Sequence, residues 1–463
     1  MALLNLRRRI TLFYLLGFFV DLINTFITAV VSPKIGEALH ADVATLAWVS
    51  TAYLLGLMLG MLPSRWLGQR MGERPVLLGS LVFFSGATLL IAWSGQMATL
   101  LPLRGLQGFA AGLFIPLGQA LVYRLYSAHE RPRVTMAIMA IGLLAPAVSP
   151  LAGGWLSQRM PWQWVLLASL PMALLALLLG DCWLPRPPAA ARNEPFDGKG
   201  LLLAGAGVAS GLLGMTDAGG GQGGMAMAWA TLAAILLGSY LRHSRRIAAP
   251  LLDFSVMREP VFAGSMMLYL AVPGLFIGVN LLAMLYLQAD LGWTASAAGS
   301  LMLPWTVGAA LAIACTTWCY RSFGPTPLLL LGLALQIPGY ALLALAYSTS
   351  SLMIAYALLG VGGSLCTSVA QSAAFSALAS SELGQASTLW ALNRQLSFCL
   401  GVTAVSLFFS LLTMLLGTRQ AYQATFMLAG GVQATCLAVL FCLRIRSLVK
   451  RKERHESVSE RSH

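Results

Sequence analysis

The chain has 463 residues, of which 58% are hydrophobic and 10% charged, and its mean hydropathy is +0.77. A soluble globular chain carries about 25% charged residues, so composition excludes a soluble enzyme. The net charge of +13 does not call for nucleic acid, because the 29 Lys and Arg residues sort by position between apolar runs long enough to cross a bilayer.

Fourteen such runs are expected, near 11–33, 44–64, 75–94, 97–123, 134–157, 161–184, 200–216, 225–241, 261–288, 295–319, 326–347, 351–378, 385–416 and 422–443. With the N-terminus cytoplasmic, 24 of the 29 basic residues fall in cytoplasmic segments. Three (Lys34, Arg159 and Arg419) fall on the opposite side, and two (Arg104 and Arg394) lie within spans. This bias predicts an even number of spans with both termini inside. The first run has a basic start, span length and no small-residue cleavage site, which predicts an uncleaved first helix.

In span 1, Asp21, Asn24, Thr25 and Thr28 recur at helical spacing and share one face, which predicts a polar cavity beside it. Asp21 is the one acidic residue placed deep in a span, and a charge there costs at least ~2.5 kcal/mol. A carboxyl in low dielectric balances between protonated and ionised forms, and a nearby cation shifts that balance. Asp21 is therefore the proton-carrier candidate; the alternative is a permanently paired carboxylate that only holds helices together.

Span 4 carries Arg104 and Gln107 on one face, with Gly108 and Gly112 at the spacing that lets helices approach closely. Arg104 must find acceptors or water, and it is the expected counter-charge. In span 5, Gly142, Pro146, Pro150 and Gly154 repeat every four residues and make a smooth, bent face with Gly153. Such a face serves either as a sliding seal or as ordinary tight packing.

The prolines and charges of 184–198 interrupt the helices and close a six-span half. The domains expected are therefore 1–184, a six-helix bundle; 185–199, a cytoplasmic linker; and 200–241, two inserted spans with a Gly-rich outer turn. A connector at 242–260, a second six-helix bundle at 261–446 and a basic tail at 447–463 complete the plan. Two six-helix halves suit alternating access around a site near the midplane. In the second half, Asn393, Arg394 and Gln395 interrupt span 13, Asn280, Gln336 and Gln371 are isolated amides in spans 9, 11 and 12, and Arg394 is the costly one. Cys315 and Cys319 lie in an apolar span without His or acidic company, so packing is expected there and no metal site.

Several segments together resemble the major facilitator superfamily, and within it the fourteen-span drug:proton antiporters. Asp21 with Pro33 is similar to the family's first-span signature, and the stretch from Trp48 through Tyr53 to Leu55 to the start of its second. Arg104, Gly105, Gln107 and Gly108 resemble the span 4 motif whose arginine is associated with proton transfer. Pro146 to Trp155, with Trp162, Trp164 and Pro171, resembles the span 5 antiporter motif and its sequel. The likeness continues through Phe196, Asp197 and Gly200, then Tyr286 and Gln288, then Gly384, Gln385 and Ser387, to Arg394 and Gln395.

The loop between spans 2 and 3 keeps Arg70, Gly72 and Arg74 but has Gln69 where the family usually has aspartate and Arg65 where it usually has glycine. Gln163 and Ser397 also depart from the usual arginine and glycine.

The resemblance implies an all-α integral membrane protein of the major facilitator fold, with two six-helix bundles plus two central helices. It implies a proton-coupled exporter of small molecules, drugs or biocides, in the cytoplasmic (bacterial inner) membrane. The alternatives are an exporter of an endogenous metabolite or siderophore, and a non-transporting scaffold or sensor. Asp21 and Arg104 would couple protons, and Asn24, Thr28, Gln107, Asn280, Asn393 and Arg394 would line the substrate cavity. Arg70, Gly72, Arg74, Gly142, Pro146, Pro150, Gly153 and Gly154 would carry conformational change. No cofactor is expected beyond the proton-motive force: no G-x-x-x-x-G-K-[ST] loop occurs, which argues against ATP drive. No nucleophile or acid/base cluster suggests an enzyme. The expected partners are substrate, protons and lipid, without nucleic acid.

Overall fold

The computed structural model describes every residue except Met1, Asp42, 187–194, 220–222, Ala248, 346–347 and 461–463. Parts of the expected linker and of the Gly-rich outer turn, with Arg192 and Arg461, thus lie outside the described residues.

The described chain is helical throughout and contains no strand. Its first helices are α1 (Ala2–Leu39), α2 (Val43–Met71), α3 (Glu73–Ile91), α4 (Met97–Arg124) and α5 (Arg131–Arg159). The sixth apolar run breaks into α6 (Trp162–Leu167) and α7 (Leu170–Trp183), with Pro171 opening the second piece. Next come α8 (Gly198–Gly219) and α9 (Gly223–Ser244), then a short 3₁₀ turn (Phe254–Arg258) and α10 (Pro260–Leu285). A π-helical turn (Tyr286–Asp290) leads to α11 (Ala295–Ser300), α12 (Met302–Phe323), α13 (Pro325–Leu345), α14 (Thr349–Ser376), α15 (Leu383–Leu416) and α16 (Thr418–Glu460).

Among the described residues, 12 helical stretches are long and apolar enough to cross a membrane. Helices α2 and α5, each of 29 residues, fall outside that set and stand at the second and fifth places of the series.

The chain packs as two compact units. The first contains Met1–Met266 and Ala374–Thr403, and the second contains Met267–Ala373 and Ala404–His463. Helices α10, α14 and α15 each run from one unit into the other.

In the first unit a seam of glycines brings α2 and α4 into backbone contact. A Cβ added at Gly56 would collide with the Gly105 carbonyl, at Gly60 with that of Phe109, at Gly108 with that of Tyr53, and at Gly112 with that of Leu57. The Gly108/Gly112 spacing is therefore a packing device, and the small residues of one helix meet those of the other. The face of α5 behaves differently: a Cβ at Gly142 or Gly154 would meet no described atom within 4 Å. Gly72 sits just before α3 at φ 89°, where a side chain would be strained.

The second unit is built on apolar and aromatic packing. Tyr340, Leu343, Tyr356 and Phe426 are fully or nearly fully buried in its core. Phe276 stacks on Trp305 with ring centroids 5.2 Å apart, and Tyr422 contacts both Tyr286 and Phe409.

The glycine seam predicts an asymmetric response to a single methyl group. Gly108→Ala should lower stability by roughly 1–3 kcal/mol through overpacking, whereas Gly142→Ala should leave it unchanged or raise it; thermal unfolding of the two purified variants checks this.

Candidate functional site

The polar face of α1 turns into the first unit. Asp21 is 2% exposed, and Asn24 and Thr28 are fully buried, while Thr25 is half-buried and donates to the Asp21 carbonyl. Opposite them, Arg104 of α4 is also fully buried. In a water-free setting a guanidinium must place its N–H groups on acceptors, and this one does so on three helices. Its Nη2 donates to Thr28 Oγ1 (2.6 Å), its Nη1 to Gln107 Oε1 (2.6 Å) and Asn24 Oδ1 (3.2 Å), and its Nε to the Val49 carbonyl (3.3 Å).

The acceptors are themselves held. Gln107 Nε2 donates to Thr88 Oγ1 of α3 at 2.7 Å, and Asn24 Nδ2 donates to Ser169 Oγ at 2.6 Å, in the break between α6 and α7. Thr28 Oγ1 donates to the Asn24 carbonyl at 2.7 Å. Asn24, Thr28, Gln107 and Arg104 thus converge as the sequence pattern suggested, and every contact to the guanidinium comes from a neutral group.

Asp21 stands one step away. Its Oδ1 accepts from the Tyr53 hydroxyl at 2.6 Å, and its Oδ2 has no hydrogen-bond partner. The other face of the link is a cation–π contact, with Arg104 Cζ 4.6 Å from the Tyr53 ring centroid. Tyr53 therefore joins the carboxyl to the arginine in place of a direct ion pair. Sequence reasoning gave no site role to Tyr53, named only within the second-span resemblance, nor to Thr88 or Ser169, because no pattern revealed the rotation of α2 and α3 or the break before α7. Asp21 also borders a cavity of about 10 Å³ walled by apolar residues such as Val20, Phe84 and Phe114. That is near the threshold for one water molecule.

The remaining candidates fall elsewhere. Arg394 of α15 is 6% exposed, with its guanidinium 4.8 Å above the Phe18 ring of α1. Asn393 donates to the Met266 carbonyl of α10 at 3.0 Å. Asn280 belongs to the second unit and accepts from the Tyr356 hydroxyl at 2.9 Å. Trp390 is buried against Phe262 and Phe375. Arg74 reaches the carbonyl (2.9 Å) and carboxylate (2.5 Å) of Asp181 at the end of α7, while Arg70 lies over Trp66. Gly142, Pro146, Pro150, Gly153 and Gly154 are all on α5, with Gly153 buried and Gly142, Pro146 and Gly154 half-buried.

A buried charged cluster spread over the helices of an all-α bundle fits a carrier, and the comparisons agree. The profile of the Major Facilitator Superfamily matches residues 13–402 and 274–462. The chain belongs to the major facilitator superfamily.

A protein named "Multidrug resistance protein B homolog" from Mycobacterium tuberculosis (strain ATCC 25618 / H37Rv) is 31% identical over 375 residues, 78% of this chain and 69% of that protein. A "Putative multidrug resistance protein MdtD" from Klebsiella pneumoniae (strain 342) is 26% identical over 306 residues, 63% of this chain and 62% of that protein. The fold is similar to that of the human organic anion transporter MFSD10 (TETRAN), with TM-score 0.67 and 16% identity over 94% of this chain and 99% of that one. It is also similar to the proton:xylose symporter XylE bound to 6-bromo-6-deoxy-D-glucose, with TM-score 0.61 and 16% identity over 94% and 95% of the two chains. As a member of this superfamily the protein is a multi-pass membrane transporter and not an enzyme.

A second polar cluster lies outside the spans. Arg65, Gln69, Asp197, Asp253 and Gln385 border a cavity of about 100 Å³. Gln385 Nε2 donates to Asp253 Oδ2 at 2.9 Å, tying the connector to the start of α15. Asp197 accepts from the Gly200 N–H (2.7 Å) and the Leu251 N–H (3.2 Å) and pairs with His243 Nε2 (2.8 Å). Burial pushes the Asp197 carboxyl up, but the hydrogen bonds from His243, Gly200 and Leu251 outweigh it and hold the group below the ordinary carboxylate range.

Two outcomes follow from this geometry. Arg104→Leu strands the Asn24, Gln107 and Thr28 acceptors at roughly 1–3 kcal/mol each, so folded protein should be lost; monodispersity in detergent checks it. For Asp197, the folded-state carboxyl titrates below the unfolded one, so its contribution is present above about pH 4 and lost as pH falls through the folded-state value. Wild type should therefore unfold at a higher temperature than Asp197→Asn at neutral pH, and the gap should close in acid.

Proposed function

We propose that the protein is a proton-coupled antiporter that exports small molecules, drugs or biocides, across the cytoplasmic membrane by alternating access. The observation that carries this reading is Asp21: a buried carboxyl with one oxygen held by Tyr53 and the other without a partner. A carboxylate fixed for structure alone would have both oxygens satisfied. One held at a single oxygen, inside a cluster that links α1, α2 and α4, can gain and lose a proton as its surroundings change.

In this reading Asp21 takes a proton from outside, becomes neutral, and no longer demands a counter-charge. The protein can then turn its cavity inward, release the proton and take substrate from the cytoplasm. Arg104 keeps the helices around Asp21 in register and, by way of Tyr53, sets the field at the carboxyl. The proton-motive force supplies the drive, and no cofactor is invoked.

Fourteen spans are supported by the 12 apolar stretches together with α2 and α5 at their places in the series. Cytoplasmic termini are supported by the concentration of Lys and Arg in alternate segments. On this plan 1–184 and 261–446 are the two six-helix halves, and 200–241 is the inserted pair. The names of the mycobacterial and Klebsiella relatives favour drugs as substrates and a bacterial inner membrane as the location.

The test is proton release in everted vesicles loaded with acid and reported by a quenched dye, on adding cationic dyes, biocides or chelating metabolites. Wild type should release protons with at least one cationic compound, and Asp21→Asn should fall to the level of vesicles lacking the transporter. Exchange by Asp21→Asn at the wild-type rate removes the proton site from this residue. A response to chelating metabolites alone reassigns the substrate to a siderophore-like class.

A further inference from the structure

The first unit holds two buried charges that are not paired. Asp21 Oδ2 and Arg394 Nη2 are both buried without a hydrogen-bond partner. Their residues are 2% and 6% exposed. Leaving one such group unmet in low dielectric is costly, and leaving two of opposite sign unmet near each other points to a contact that forms in another state.

They are near each other. Arg394 lies 4.8 Å above the Phe18 ring, and Phe18 precedes Asp21 by three residues on α1, one turn away on the same face. Phe18 in turn stacks on Tyr14 at 5.9 Å, so the guanidinium rests on an aromatic surface that gives it a place without an anion.

Two of the other groups around Asp21 are committed. Tyr53 of α2 already donates to Oδ1, and Arg104 of α4 meets four neutral acceptors and faces the Tyr53 ring. Moving Arg104 to Asp21 would break those bonds. Tyr14 of α1 stacks on Phe18, and its buried hydroxyl has no partner, but a phenol is not a counter-charge at neutral pH. Arg74 and Arg131 also have a buried Nε without a partner, but they lie at helix ends, whereas Arg394 stands over Phe18, one turn from Asp21.

We propose that Arg394 is the counter-charge of Asp21: ionised Asp21 draws the α15 guanidinium from Phe18, and protonation of Asp21 returns it to the ring. The inference rests on the reading of Asp21 as proton carrier and names the element that its charge moves. Arg394 sits in the stretch of α15 that packs with the first unit, and the same helix continues into the second from Ala404. Its neighbour Asn393 is bonded to the Met266 carbonyl, where α10 also passes between units. A change in the pull on Arg394 is thus delivered to α15 and, through Asn393, to α10. Arg394 is a positioning residue in this scheme, since it reaches the proton only through Asp21.

Infrared titration of the purified full-length protein tests the proposal without a substrate. The protonated-carboxyl stretch that Asp21→Asn removes reports Asp21 directly. Its midpoint should move by about one pH unit or more, tenfold in proton affinity, in Arg394→Gln. The shift should be less than half as large in Arg394→Lys. A midpoint in folded Arg394→Gln that coincides with wild type overturns the proposal. If Arg394→Gln does not fold, the double variant Asp21→Asn/Arg394→Gln should restore folding, because it removes both charges; failure to restore it also overturns the pairing. Absence of any Asp21-dependent band across the titration removes the proton-carrier reading itself, before any Arg394 variant is compared.

Discussion

A guanidinium with no access to water organises this protein. Arg104 cannot shed its charge and cannot leave its donors unmet, so acceptors have to be delivered to it from several helices at once. Asn24 and Thr28 come from α1, the Val49 carbonyl from α2 and Gln107 from α4 itself. Thr88 of α3 and Ser169 beside α7 then hold those acceptors in place. The register of α1, α2, α3 and α4, and of the break before α7, is thereby tied to one side chain. The glycine seam between α2 and α4 serves the same end, because only a close approach lets Arg104 reach Val49 and face Tyr53.

Asp21 and Arg394 obey the opposite logic. Each is buried, yet each keeps an atom without a partner. A saturated charge such as Arg104 has one good arrangement and stabilises it; an unsaturated one has something to gain from rearranging. In a carrier that must visit two conformations, both kinds are needed. In the proposed cycle the saturated cluster keeps the helices of the first unit together, and the unsaturated groups supply the chemical input. Tyr53 stands where the two meet, donating to Asp21 through its hydroxyl and offering its ring to Arg104.

Outside the spans a different set of contacts controls the helix ends. Gln69 borders the same cavity as Asp253 and Gln385, which bond each other. Arg131 at the start of α5 donates to the Phe375 and Leu378 carbonyls at the end of α14. Asp197 gathers the connector and the start of α8 through Leu251 and Gly200. The carboxylates that do this work come from the segments flanking α8 and α9, and Asp253 ties the connector to α15.

Hydropathy and charge distribution were legible from the sequence because bilayer solvation acts on each residue separately. An apolar run of span length, a lone Asp21 and a buried Arg104 are expensive wherever they stand, so their presence alone predicted a membrane protein with a polar centre on α1 and α4. Helical spacing also put Asn24 and Thr28 on the Asp21 face, and the structure turns that face to Arg104. Pairings between helices were not legible, since they depend on rotation and depth that no single helix encodes. Tyr53 and Ser169 looked like ordinary span residues until packing brought them to Asp21 and Asn24. Asn280 looked equivalent to Asn393 until packing put them in different units. Arg394 was costly by sequence, but only the tertiary structure set it over Phe18, one turn from Asp21, because a charge acquires its partner from the helices packed against it and not from its neighbours in the chain.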